Sequence, residues 1–281
     1  MSLNLTRAAE QLLRSSRPLV IGMIHVPALV GTPLNRLKID EIAEKVVAET
    51  QIYANTQIDG LIFENMHDLP YSRSEDLGPE ITAAMTRVCL DARNELSKRS
   101  DLLLGIQILA GGNEKALAVA LAAGLDFIRA ESFVFAHVAD EGWMDACAGR
   151  LLRYRKKIEA AKVAVFTDIK KKHSAHAITS DVSISETAHA AEFFCADGLI
   201  VTGTATGAPA QPEDLNQVQS AVRLPVLIGS GLTVDNCHEY RNAHGFIVGS
   251  YFKQNGHWAN ALDPKRIDEF IAKVHELKRD Q

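Results

Sequence analysis

The chain has 281 residues and a formal net charge of -5, a balance that argues against a nucleic-acid or anionic-membrane surface. Its composition is 47% hydrophobic but only 6% aromatic, as expected of an aliphatic core built on parallel strands. Cys89, Cys147, Cys195 and Cys237 lie far apart with no C-x-x-C pair, which excludes a disulfide framework and fits reduced, mostly buried thiols.

Taken in chain order, the pattern is strand then helix, repeated eight times. A first helix over Leu3–Leu13 is expected to close the bottom of a barrel, within a cap of residues 1–17. Short apolar runs bounded by turn residues predict strands at Leu19–Ile24, Gly60–Glu64, Leu102–Ile108, Asp126–Ala130, Val163–Asp168, Gly198–Thr202, Val226–Ile228 and Phe246–Val248. Between them run amphipathic helices, with apolar faces such as Ile42, Ala43, Val46, Val47 and Ala54, or Ile81, Met85, Val88, Cys89, Ala92 and Leu96. Pro79 suits a first helical turn, Ser183 to Glu186 reads as a capping box, and Asp263-Pro264 sets an N-cap before a first-turn proline. No linker or low-complexity stretch interrupts residues 1–281. The expected fold is therefore one α/β domain, a single (β/α)8 TIM barrel with an extra N-terminal helix.

Strand alternation then selects which polar side chains face inward. Gly60, Ile62 and Glu64 share a face, as do Gly105 with Gln107 and Arg129 with Glu131. Three further strands end at His25, Asp168 and Thr202. His25, Glu64, Gln107, Arg129, Glu131 and Asp168 should thus converge on the C-terminal mouth, where barrels carry their chemistry. A polar plug that satisfies itself is the bland alternative.

The fifth loop, Asp168 to His176, contains Lys170-Lys-Lys172 and His173. Asp168 and His173 could serve as a base and its orienter, or join His25 and Glu64 around a divalent metal. No metal-binding motif of the H-E-x-x-H kind occurs, and no cofactor is evident. Lys170 or Lys172 could form a Schiff base if desolvated, although a solvated loop is the default for such a run.

Glycine- and hydroxyl-rich turns close the last strands. These are Gly203-Thr204 within Val201 to Pro209, Gly229-Ser-Gly231, and Gly249-Ser250. Such turns expose backbone N–H groups to an anion, and barrels commonly hold phosphate there. Any one of them alone is as readily a tight connection.

These residues carry a resemblance. Ile21 to His25, Asp59 to Asn65, Gly78 to Glu80, Asp126 to Arg129, Leu151 to Arg155, Asp168 with Lys172-His173, Ile200 to Pro209, Gly229 to Gly231 and Val248 to Ser250 resemble the BtpA family, from about Pro18 to Val274. The family is similar to ribulose-phosphate-binding barrels and takes its name from a photosystem I accumulation factor. The chain departs from it at Ile108 to Asn113, which lacks a basic-polar ending, and at Glu131, where many relatives carry Asn.

The expected function is an enzyme on a small phosphorylated sugar or phosphoribosyl-type compound, of isomerase, epimerase or lyase type. Glu64, Asp168 and His173 move protons in this reading, helped by Lys172, while His25 and Arg129 orient or stabilise charge. Phosphate rests on Gly203, Thr204, Gly229, Ser230, Gly231, Gly249 and Ser250, with Gln107 and Thr202 nearby. Replacing Glu64 or Asp168 by its amide is expected to spare stability, and a bulky residue at Gly231 to spare the fold. A non-catalytic assembly factor and a hydrolase of nucleotide-like substrates are the rival readings. A cytoplasmic location and no membrane span are expected; homo-oligomerisation is left open.

Overall fold

The computed structural model describes residues 5–279. Its elements in chain order begin with α1 (Arg7–Arg14), β1 (Leu19–His25), α2 (Ile39–Ala54), β2 (Gly60–Glu64), α3 (Pro79–Glu95), β3 (Leu103–Gln107), α4 (Asn113–Ala123) and β4 (Phe127–Ala130). Next come β5 (His137–Ala139), β6 (Gly142–Met144), α5 (Ala148–Lys157), β7 (Ala164–Ile169), β8 (Ser174–Ala175), α6 (Ile184–Phe193) and β9 (Gly198–Val201). The chain ends with α7 (Pro212–Ala221), β10 (Val226–Ile228), β11 (Gly245–Val248) and α8 (Pro264–His275).

Eight of the strands pair in parallel and close a barrel in the order β1-β11-β10-β9-β7-β4-β3-β2. The expected (β/α)8 fold is borne out. One unit is abbreviated, since β10 returns to β11 through a 3-10 turn at Cys237–Tyr240.

Alternation along the strands produces two apolar layers. Ile21, Met23, Ile62, Leu103, Phe127, Phe166, Ile200 and Ile247 fill the barrel, and Ala8, Ala9 and Leu12 of α1 seal its lower end. The predicted first residues of that helix lie outside the described residues. A larger shell, including Ile42, Val46, Ile81, Met85 and Val88, packs helices against the outer strand faces. Predicted end signals operate as read: Ser183 and Glu186 form a reciprocal capping box, and the Asp263 side chain accepts from the Lys265 amide.

An antiparallel sheet of order β6-β5-β8 lies outside the barrel. Its strands are two or three residues long, too short for a period-two signal. No helix among the described residues is long and apolar enough to cross a membrane. Cys89, Cys147 and Cys237 are buried free thiols and Cys195 is exposed, in line with mostly buried thiols.

Candidate active site

Register puts the polar residues on one level. His25 pairs with Glu64 across β1 and β2, and Glu64 pairs with Gln107 across β2 and β3. Arg129 and Asp168 occupy inward positions above Phe127 and Phe166. His25, Glu64, Gln107, Arg129 and Asp168 are all buried. This ring stands on the apolar fill of the barrel, so each charge in it must be paired or neutralised.

Arg129 and Asp168 are paired. Arg129 donates from Nε and from one terminal nitrogen to the two Asp168 oxygens, both at 2.9 Å. This two-point geometry is the strongest form of the carboxylate–guanidinium interaction. It corrects the reading of Asp168 as a free base, because both carboxylate oxygens are already engaged.

Glu64 has no such partner. Burial raises its pKa, with Arg129 and Lys172 opposing. Its Oε2 lies 3.8 Å from His25 Nε2, beyond hydrogen-bond length. His25 itself is held neutral. Burial, reinforced by the charge of Lys253, lowers its pKa to about 3. With Nδ1 2.9 Å from the Trp258 carbonyl oxygen, the proton belongs on Nδ1, leaving Nε2 as an acceptor. Gly249 makes room for the ring, since a Cβ there would stand 3.2 Å from His25 Nε2.

The fifth loop divides its residues. Lys170 and His173 adopt φ of 49° and 52°, left-handed conformations that are uncommon without glycine. Between them Lys172 faces the mouth, where burial and then the charge of Arg129 lower its pKa. His173 is exposed, and its Nε2 accepts from the Thr206 amide at 3.1 Å. It lies outside the cavity, which corrects its assignment to proton transfer. The loop is also not a solvated lysine run. Lys170 Nζ donates to the Thr179 and Val182 carbonyls, and buried Lys171 pairs with Glu131 at 3.4 Å and Glu141 at 3.8 Å. Glu131 also accepts from the Gly111 amide and so belongs to this lateral cluster rather than to the mouth.

A cavity of about 370 Å³ opens over the ring, lined among others by His25, Glu64, Arg129, Lys172 and the turns Gly229 to Gly231 and Gly249 to Tyr251. Among the described residues, the backbone amides of Ser230, Gly231, Ser250 and Tyr251 donate to no protein acceptor. Such convergent free N–H groups suit an anion. Arg266, missed in the sequence, lines the same wall; its Nε donates to the Tyr251 carbonyl at 2.6 Å. Only its place on α8, remote in sequence, concealed it.

The β9 turn behaves differently. Gly203 donates its amide to Ser230 Oγ at 2.8 Å, and the Thr204 carbonyl accepts from the His173 amide. Neither residue lines the cavity, so their expected role as phosphate donors is not supported. Gly231 has φ +67°, and a Cβ on it would lie 2.2 Å from the Pro209 nitrogen. A bulky residue there would therefore disturb the fold, contrary to expectation. The Gln107 Oε1 and Thr202 Oγ1 atoms are buried without a hydrogen-bond partner, and neither residue lines the cavity.

Among the described residues no three or more His, Cys, Asp or Glu side chains gather as a metal-binding group. The arrangement of His25, Glu64, Asp168 and His173 around a divalent ion does not form, because Arg129 holds Asp168 and His173 turns outward.

The profile of the BtpA family matches residues 16–276. A Caenorhabditis elegans protein whose name carries the word mitochondrial is 55% identical, over 96% of this chain and 98% of its own length. That word belongs to the relative and lends no support to a cytoplasmic location here. The photosystem I biogenesis protein BtpA of Synechocystis sp. is 32% identical, over 92% of this chain and 88% of its own. Among solved structures, N-(5'-phosphoribosyl)anthranilate isomerase of Pyrococcus furiosus superposes with a TM-score of 0.54 at 13% identity, covering 92% of this chain and 100% of the other. At that identity the likeness is one of fold.

Proposed function

This chain belongs to the BtpA family, and on that premise we propose that it is an enzyme acting on a small phosphorylated sugar or phosphoribosyl-type substrate. One observation carries the reading. Glu64, with its pKa raised, and Lys172, with its pKa lowered, face the same cavity as the free amides of Ser230, Gly231, Ser250 and Tyr251. Opposite shifts of an acid and an amine bring both toward neutral pH, where general acid–base catalysis is most effective.

In this mechanism the phosphate sits on the two turns with Arg266 beside it, and the sugar lies over Glu64. Ionised Glu64 takes a proton from the carbon next to a carbonyl. Lys172 protonates the carbonyl oxygen, and the fixed Arg129 charge favours the enediol-like state. Isomerisation and epimerisation share this abstraction, and retro-aldol cleavage, in which the base takes the β-hydroxyl proton as the carbon–carbon bond breaks, leads to the same enediolate, so the fold does not choose among them. The solved neighbour whose name includes a phosphoribosyl group is in keeping with such a substrate.

The test is a panel of phosphosugars incubated in D2O and followed by proton NMR. Wild type should exchange a carbon-bound proton of at least one member, Glu64→Gln should lose this by about a hundredfold or more, and the unphosphorylated sugars should be inert. Absence of both exchange and binding across the panel would remove the enzyme reading. It would favour the assembly-factor alternative, for which the name of the Synechocystis relative speaks.

A further inference from the structure

Buried His25 also borders a second space. A cavity of about 580 Å³ adjoins it, formed by the loop after β1, the exposed side of α2, the loop after β2 and the segment Trp258 to Ala261. His25 lines both this space and the mouth. The two compartments therefore share one imidazole as a wall, beside Glu64.

The second compartment has a different chemistry. Its walls include Pro27, Leu34, Leu37, Leu69 and the Trp258 indole. Trp258 stands 4.9 Å from the His67 ring at a tilt of 47°, so the wall carries two adjoining rings. Leu34 is 53% exposed, an apolar surface that lacks a cover within the chain. The charges are uneven as well. Arg36, Lys45 and Lys253 line it against a single acid, Glu49. Lys253, itself buried, already holds both Glu49 oxygens, at 2.8 and 2.9 Å. Arg36 and Lys45 are thus left as a surplus of positive charge over an apolar, ring-lined floor.

We infer that the substrate has two parts: a phosphoribosyl half seated in the mouth and a planar aromatic group bearing a negative charge seated in this second cavity, joined across His25. The inference rests on the function proposed above and sharpens it, because a bare sugar phosphate would leave the larger compartment unused. The junction between the halves would lie at His25, beside Glu64.

Calorimetry with three probes tests this on the full chain: ribose 5-phosphate, uridine 5'-monophosphate and orotidine 5'-monophosphate. The last two share a ring, and only the last carries a carboxylate on it. The expected order is orotidine monophosphate tightest and ribose 5-phosphate weakest, with about tenfold or more between the extremes. Ala48→Trp and Ala261→Trp each fill the cavity from an exposed position and should bring the nucleotide-to-ribose 5-phosphate ratio toward one. Lys45→Met should erase the preference for orotidine over uridine monophosphate. Equal binding of all three probes, or a ratio unchanged in both tryptophan variants, overturns the inference while leaving the phosphosugar reading intact. Failure of ribose 5-phosphate and both nucleotides alike removes that reading itself, and the inference with it.

Discussion

Arg129 with Asp168 and Lys172 with Glu64 are two sets of the same ingredients in one barrel mouth, and they end in opposite states. The first is closed: two hydrogen bonds of 2.9 Å bind each group to the other. The second is open. Lys172 and Glu64 face a cavity, and burial pushes their pKa values in opposite directions toward neutrality. A satisfied buried pair holds structure and is costly to break, whereas a pair held apart and desolvated is poised to exchange protons. The difference is one of partner geometry, to which residue type contributes, since a guanidinium clasps a carboxylate at two points and an ammonium does not.

The largest effect should come from breaking the closed pair. Arg129→Met leaves the Asp168 carboxylate buried without its cation, and should cost about 3–5 kcal/mol in chemical denaturation. Asp168→Asn should likewise destabilise. Glu64→Gln, in the open pair, should cost nothing or raise the melting temperature at pH 8. The sign follows from its raised pKa: the stability contributed by protonated Glu64 is present at low pH and lost as pH rises through the folded value. Equal losses for Glu64→Gln and Asp168→Asn would erase the distinction between the pairs.

A second contrast separates the turns. Gly231→Val places a branched side chain at φ +67° and against Pro209. It should destabilise by about 1–3 kcal/mol from backbone strain alone, read as a lowered melting temperature. Ser250→Ala should leave the melting temperature unchanged, since its backbone amide is retained.

A third contrast is the pH response of His25. A base with a depressed pKa adds stability above its ordinary value of 6.5, and this is lost as pH falls toward about 3. Urea midpoints should therefore fall more steeply over that window in wild type than in His25→Gln. Parallel curves would show that His25 is not buried neutral.

Much of this was legible in the sequence. Aliphatic runs with turn boundaries identify the strands, and alternation puts His25, Glu64, Gln107, Arg129 and Asp168 at the same end. Alternation names a face but not a partner, so the Arg129–Asp168 bond was hidden, and Asp168 was expected to be free. Loop geometry was hidden too. The left-handed conformations at Lys170 and His173 turn Lys172 inward and His173 outward, and neither residue type announces them. The three glycine turns look alike in sequence, yet Ser230 Oγ closes the first of them. Lys171 was masked by the polar run around it, and Arg266 by its distance along the chain.

The central claim, that the mouth holds a phosphorylated substrate over Glu64 and Lys172, is tested most directly by a crystal structure with ribose 5-phosphate bound. The account predicts phosphate density on the amides of Ser230, Gly231, Ser250 and Tyr251, with the sugar carbons above Glu64. Phosphate bound at Gly203 and Thr204, or a mouth that stays free of ligand at saturating concentration, would contradict it.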